Sequence, residues 1–284
     1  MSKVPTRWRA RLALAFAMQN ENRCVLASRE HEGPLLVQKP LYPEGQSICH
    51  VTILHPPAGI AGGDALEIDI AVASGAHAVL TTPGATLWYK AGGRQASQQV
   101  NLRVQSGGRL EWLPLENILF EQADALLGTR VELESGAVAV GWEITQLGSI
   151  TRPTFWDEGR MHMAMQVVID GSLFWVDQGL IAAQDSLRTS LAGLAGQPVH
   201  GTLWAFGPRL SAELLDTLAV QLPWTDTLRA GLTMLPYDDE QSLYLLRCVG
   251  LYAEDVRQLL IKEWMQLRPP LLHTEGVPLR LWST

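Results

Sequence analysis

ILHPPAGIAGGDALEIDIAVASGAHAVLTTPGATLWYK, the stretch from Ile53 to Lys90, decides how the rest of the chain is read. Pro56 and Pro57 fix φ and remove amide donors, while Gly59, Gly62, Gly63 and Gly75 open backbone conformations closed to other residues, so this loop is expected to hold one shape. Directly after Asp64, Leu66, Ile68, Ile70 and Val72 take one parity and Glu67 and Asp69 the other, the period-2 alternation of a half-buried strand. Ser74-Gly75 then turns the chain, and Ala78 to Thr82 begins a second strand that Pro83-Gly84 ends.

The same pattern continues outward from about Trp8 to Gln178. Turns at Ser74-Gly75-Ala76, Ser106-Gly107-Gly108, Ser135-Gly136-Ala137 and Asp170-Gly171-Ser172 fall roughly 30 residues apart, each between alternating strands. A quasi-repeat of strand pairs at this period predicts stacked β-coils or layered sheets that bury a common apolar stripe. Helical spacing arises only later. Leu210, Leu214, Leu218 and Leu222 follow Pro208, and Val256, Leu260, Trp264 and Leu267 precede Arg268-Pro269-Pro270, which is expected to stop that helix. A third helix is expected in Asp185 to Leu194 with Asp185 as its cap, and Leu243 to Val249 reads as a strand.

Composition narrows the class. A net charge of −7 with no basic patch argues against a nucleic-acid partner, because such binding rests on clustered Lys and Arg. Ten tryptophans suit both core packing and interface anchoring. Cys24, Cys49 and Cys248 are widely spaced and odd in number, which fits a reducing compartment, hence a cytoplasmic protein, with no disulfide framework. Lys3, Arg7, Arg9 and Arg11 ahead of LALAFAM imitate a short signal peptide, but Leu12, Leu14, Phe16 and Met18 alternate with smaller or charged residues as a strand does. No apolar run approaches the roughly 18 residues of a membrane helix.

No catalytic motif is present: no phosphate-binding loop, no dinucleotide glycine pattern, no H-E-x-x-H and no nucleophile elbow. Two soft-metal candidates arise. Cys49-His50 with His55 offers a thiol and two imidazoles, but neighbours in a strand point to opposite faces, so only one of Cys49 and His50 can join His55. Met161, Met163 and Met165 share a face opposite His162, a pattern more typical of deformable packing. The acids carry more. Asp64 closes the glycine loop, where backbone amides can hold its carboxylate; Glu143 shares a parity with Ala139 and Gly141; Asp177 shares one with Leu173 and Trp175. An acid on an apolar strand face must be paired, hydrated or protonated. A water-filled passage lined by these carboxylates would satisfy them and would let a hydrated divalent cation through with weak, transient binding.

HPPAGIAGGD followed by TTPGAT, LEWLPLENILF and the tryptophan strand GWE resembles the urease accessory protein UreD (UreH) family over about Trp8 to Thr284. The resemblance implies a mainly β fold, a β-helical stack of strand pairs with a small helical portion in the C-terminal third. It also implies one domain over 1–284, with helices mainly within 185–222 and 252–268. It implies a non-catalytic assembly factor that binds the urease apoprotein and, with UreF and the GTPase UreG, brings Ni²⁺ to the urease active site. No tightly bound cofactor and no stable metal site are expected, Ni²⁺ being handled transiently along Asp64, Glu143 and Asp177. The loop around Gly59 to Asp64 and the segment from Tyr252 to Trp282 are the expected contact or structural elements. The reading of a different class is a β-helix carbohydrate-active enzyme with carboxylates in a surface groove, which would set exposed aromatics and acids along one cleft.

Overall fold

The computed structural model describes residues 8–57, 59–149, 151 and 155–283. Ala58 of the proline-glycine loop and Lys3 and Arg7 of the basic N-terminal run lie outside the described residues.

The glycine turns build the fold. Gly75, Gly107, Gly136 and Gly171 all have φ between 75° and 85°, which side-chain-bearing residues rarely adopt. The turns stack on one another: the Gly75 N–H donates to the Gly107 carbonyl at 3.2 Å, and the Gly107 N–H to the Gly136 carbonyl at 3.0 Å. The turns at Gly75, Gly107 and Gly136 each pass the chain from the first sheet to the second, so successive coils add one strand to each, while the Gly171 turn closes a hairpin within the first sheet. In the first sheet the parallel strands Ala65–Val72, Ala96–Val104, Ala123–Leu133 and Gly159–Ile169 lie side by side. In the second, Ile48–Leu54, His77–Thr81, Arg109–Leu113 and Val138–Leu147 do the same. The fold is therefore mainly β with solenoid-like stacking of its strands.

Strands with antiparallel partners close both ends, although Arg9–Asn20 itself runs parallel to Ala65–Val72. Arg9–Asn20 and Arg23–Glu32 extend the first sheet at one edge, and Ser172–Ala182 at the other. Val199–Pro208, Gln241–Gly250 and Leu228–Pro236 extend the second.

Two cores follow from this layering. Between the sheets, inward residues such as Leu12, Ile70, Leu102, Val131 and Val167 are each buried. The outer face of the second sheet is covered by α2 (Ala253–Leu272), whose Val256, Leu260, Trp264 and Leu267 form the expected stripe and are all buried. Trp142, Trp264 and Trp282 pack together there with ring centroids 5.4 to 6.3 Å apart.

The helix does not stop at Arg268-Pro269-Pro270 but continues to Leu272. A proline in the last turn forfeits an N–H, yet burial of Leu271 and Leu272 outweighs that loss, and His273, at φ 54°, closes the helix by donating to the Pro269 carbonyl. The leucine stripe after Pro208 gives α1 (Ala212–Val220), capped by Ser211, whose hydroxyl accepts from the Leu214 N–H at 3.2 Å. The segment after Asp185 shortens to a 3₁₀ turn, Ser186–Arg188, although Asp185 does cap it by accepting from the Leu187 N–H at 2.9 Å.

Candidate functional site

Inward positions of a strand stack are expected to be apolar, and most are. The exceptions lie in line. In the first sheet Gln98 takes the inward parity of Ala96, Val100 and Leu102, and Thr129 that of Ala125 and Val131. The register sets Ile68, Val100, Thr129, Met165 and Asp177 side by side across five strands. Facing them from the second sheet is Glu143, whose carboxylate accepts a short hydrogen bond from the Thr129 hydroxyl.

Glu143 lies deep between the sheets and yet keeps accessible surface of its own, because it lines a cavity of about 40 Å³ together with Thr129. Ile68, Thr82, Thr86 and Gln98 line that cavity and also an adjoining one of about 140 Å³, which reaches His55. The polar groups therefore follow the axis of the stack, from His55 at the end of Ile48–Leu54 to Glu143 several coils further on.

At the far end stand His200 and Asp177. The Asp177 carboxylate accepts from Arg247 Nη2 at 2.8 Å, joining the first sheet to the second, and the Arg247 guanidinium lies 5.7 Å from the centroid of Trp175. His200, on Val199–Pro208, has a buried Nε2 with no hydrogen-bond partner among the described residues. At the other end, the buried His55 Nδ1 is likewise without a partner among the described residues.

The electrostatics set the protonation states. Burial pushes the Glu143 carboxyl above its ordinary range, the Thr129 hydrogen bond opposes this, and the nearby Asp177 charge adds to it. Burial draws His200 down to about 4, against the pull of Asp177, and lowers His55 against that of Asp64. Both imidazoles are thus neutral near pH 7 and present lone-pair nitrogens, the form in which histidine binds a divalent cation. The raised Glu143 carboxyl and the His55 imidazole thus line adjoining cavities, with the His200 imidazole in the electrostatic field of Asp177. Among the described residues no three His, Cys, Asp or Glu side chains converge as a metal cluster.

Of the three acids read from sequence, Glu143 lines the cavity, Asp177 lies within electrostatic reach of Glu143, and Asp64 lines neither cavity but lies within electrostatic reach of His55, which lines the adjoining one. Asp64 also fixes its loop, its Oδ2 accepting from the Ala61 N–H at 2.9 Å. Asp177 shares its face with Trp175 but not with Leu173, because a bulge at this point turns Leu173 outward, where it is exposed. The other candidates separate. Cys49 faces the inter-sheet core while His50 turns the other way and bonds Glu44 Oε1 at 2.8 Å, and Met161 and Met165 are buried among apolar neighbours. Gln98, Thr129, His200 and Arg247 were not singled out from sequence; a polar residue on an otherwise apolar strand parity is the signal that marks Gln98 and Thr129.

A second buried cluster pins α2 to the second sheet. Arg268 donates to Glu44 and Glu111, Trp264 Nε1 donates to Glu111 Oε2 at 2.7 Å, and His77 Nε2 lies 2.8 Å from Glu111 Oε1. On the outer face of the first sheet a broad trough of about 670 Å³ is floored by Ala15, Ala17 and Ala71 and edged by Arg103 and Glu132. It contains acids but neither tryptophan nor tyrosine, unlike the aromatic cleft a carbohydrate-active enzyme would set there.

Residues 9–283 match the family model described as UreD urease accessory protein. The chain is similar to a protein of Bordetella pertussis named urease accessory protein UreD, at 57% identity over 100% of both chains. Proteins of the same name in Ralstonia nicotianae and Delftia acidovorans are 50% and 43% identical, each alignment covering 98% of this chain and 94% and 95% of theirs.

Proposed function

The chain belongs to the UreD urease accessory protein family, and on that premise we propose that it is a cytoplasmic scaffold that binds the urease apoprotein and, with UreF and the GTPase UreG, enables Ni²⁺ to reach the urease active site. The proteins it resembles are named as accessory factors rather than catalysts. The sequence has no phosphate-binding loop, so nucleotide hydrolysis must come from a partner.

The observation that carries this reading is the axial line of polar groups centred on Glu143. Its cavities adjoin, its acids are spaced rather than clustered, and its buried imidazole nitrogens on His55 and His200 have no hydrogen-bond partner among the described residues. Such a line suits a cation in transit, since a tight site would retain it. In this role Asp64 and His55 receive the hydrated ion, the Glu143 carboxylate binds it transiently, and His200 and Asp177 pass it on.

The test is co-expression of the urease subunits and the other accessory proteins with and without this chain, reading nickel content and activity of purified urease. Omission is expected to leave urease folded, nickel-free and inactive. Full metallation without the chain would end the assembly role. Asp64→Ala, Glu143→Ala and Asp177→Ala variants that bind the apoprotein yet deliver nickel normally would end the conduit role while leaving the scaffold role standing.

A further inference from the structure

Strand edges in this fold are mostly guarded against pairing. Arg23–Glu32, at one edge of the first sheet, ends in Arg29, Glu30, His31 and Glu32, and Leu36–Val37, at one edge of the second, is only two residues long. Leu228–Pro236, at the other edge of the second, ends in a proline and is bridged by Trp224 at Arg229. Charge, brevity and proline all keep a foreign strand from adding to a sheet. Ser172–Ala182, the remaining edge of the first sheet, has no lysine, arginine or proline, and its one acid, Asp177, turns inward to Arg247.

The open groups of that edge follow from the register. The Ala183 N–H donates to the Gly159 carbonyl at 2.9 Å, so Trp175, Asp177, Gly179 and Ile181 turn their backbone groups toward Gly159–Ile169. Val176, Gln178 and Leu180 turn theirs the other way, where no strand of the first sheet follows. Their side chains are exposed, Val176 and Leu180 each by 44%.

The second sheet reaches one strand further than the first at this end. Thr129 meets Glu143 and Asp177 meets Arg247, so Ala123–Leu133 faces Val138–Leu147 and Ser172–Ala182 faces Gln241–Gly250, with one strand between them in each sheet. Leu228–Pro236 therefore overhangs. Its inward-facing Gly231 and Thr233 are exposed, and a β-carbon added at Gly231 or at Gly179 would meet nothing within 4 Å. At the other end of the overhang the slot is closed by Tyr237, packed edge-on to Phe174 with ring centroids 5.5 Å apart.

From this geometry we propose that the free edge of Ser172–Ala182 is the docking site for one extended segment of a partner protein, which pairs with Val176, Gln178 and Leu180 and lies beneath Leu228–Pro236. The scaffold reading supplies the partners in which this segment is sought; the slot itself stands on the edge and the overhang. The segment alternates in character. Its outer side chains are apolar, beside Val176 and Leu180, and its inner ones acidic, because Arg247, more than half exposed beyond its bond to Asp177, stands next to Gly231 in the register. A second copy of this chain does not fit, since two-fold pairing of this edge would drive each copy's overhanging strand into the other's second sheet.

The first test mixes the full-length chain with a fluorescein-labelled synthetic peptide of about ten residues in which valine alternates with glutamate. Saturable binding is expected, with exchange of the Val176, Gln178 and Leu180 amides slowed about tenfold or more and that of the Arg23–Glu32 edge unchanged. Gln178→Pro removes an N–H that the sheet does not use, and Leu180→Lys puts a charge on the open edge. Each should leave the unfolding temperature within about 2 °C of the parent and weaken the peptide about tenfold. A peptide alternating valine with lysine should also bind about tenfold more weakly. Absence of binding, binding that the variants and the lysine peptide leave unchanged, or dimerisation of the chain through this edge would overturn the proposal. In a complex co-purified with the urease apoprotein, UreF and UreG, the same amides should be protected. A complex that forms without protecting them would overturn the docked segment and leave the scaffold role standing; failure of any complex to form would end the scaffold role, and the peptide result would still decide the edge.

Discussion

Arg268 and Glu111, separated by 157 residues, meet with neither side chain exposed, the guanidinium Nε standing 3.0 Å from the carboxylate Oε2. Arg268 also spans to Glu44, with Nη1 2.6 Å from Oε2, so one cation answers two carboxylates and ties α2, the strand Arg109–Leu113 and the loop before Ile48 together. Removing one partner from such a buried set strands the others, which costs about 3–5 kcal/mol. Arg268→Ala is expected to lower unfolding free energy in urea by that amount. Arg268→Met combined with Glu111→Gln should lose less than the sum of the two single changes, because no bare charge is then left at position 111, and only Glu44, which keeps His50, loses its cation.

The same cluster predicts a dependence on acid. Burial opposes ionisation of Glu44, but hydrogen bonds from His50 and Arg268 bring it to about 2, and His77 and Arg268 likewise hold Glu111 below its ordinary range. A carboxylate depressed in the folded state contributes stability above its unfolded value, and that contribution is lost as pH falls through the folded one. Urea midpoints measured from pH 5 to pH 2 should therefore fall from about 4.5 downward, and Glu44→Gln should flatten the decline.

His200 gives a second acid-side signature with the opposite chemistry. It is buried neutral and drawn from 6.5 to about 4, so the unfolded chain binds a proton that the folded one refuses between those values. Stability is expected to drop as pH falls through this window, by about 3 kcal/mol at full effect. His200→Gln should remove that slope, a difference readable in thermal melts at pH 7 and pH 4.5.

Glu143 should separate stability from function. Its carboxyl is raised in the folded state, so ionising it costs stability as pH rises above the unfolded value of 4.5. Glu143→Gln keeps the shape, leaves the Thr129 hydroxyl a partner and removes that cost. The expected outcome is a melting temperature equal to or above that of the parent at pH 8, with nickel delivery in the co-expression assay cut severalfold.

Gly62 should be intolerant of any side chain. A β-carbon there would sit 1.8 Å from the Ala91 carbonyl oxygen, a clash that only backbone movement relieves, whereas one at Gly84 would meet open space. Gly62→Ala is expected to destabilise by roughly 2–4 kcal/mol and Gly84→Ala by no more than about 0.5, comparing denaturant midpoints.

The coil architecture was legible in the chain because its causes are local. Glycine turns at a regular interval and period-2 alternation after Asp64, before Gly107 and before Gly136 need no distant partner to be recognised. The stripe Val256, Leu260, Trp264, Leu267 likewise announced a buried helix, and Asp64 announced its own loop. Glu111 was not legible. It alternates with Leu110 and Trp112 as an outward residue would, and is buried only because α2, far along the chain, covers that face. The end of α2 was misjudged for a related reason: two prolines forbid hydrogen bonds that any isolated helix would miss, but tertiary burial of Leu271 and Leu272 carries the helix past them. The shared cavity of Thr82, Gln98, Thr129 and Glu143, with His200 beside Thr145 on the neighbouring strand, comes from strands that register, not sequence, sets side by side. Periodicity and turn chemistry are properties of neighbouring residues, so the sequence alone determined the coils. Which polar groups confront one another between the sheets depends on how those coils are stacked, and only the tertiary structure decided that.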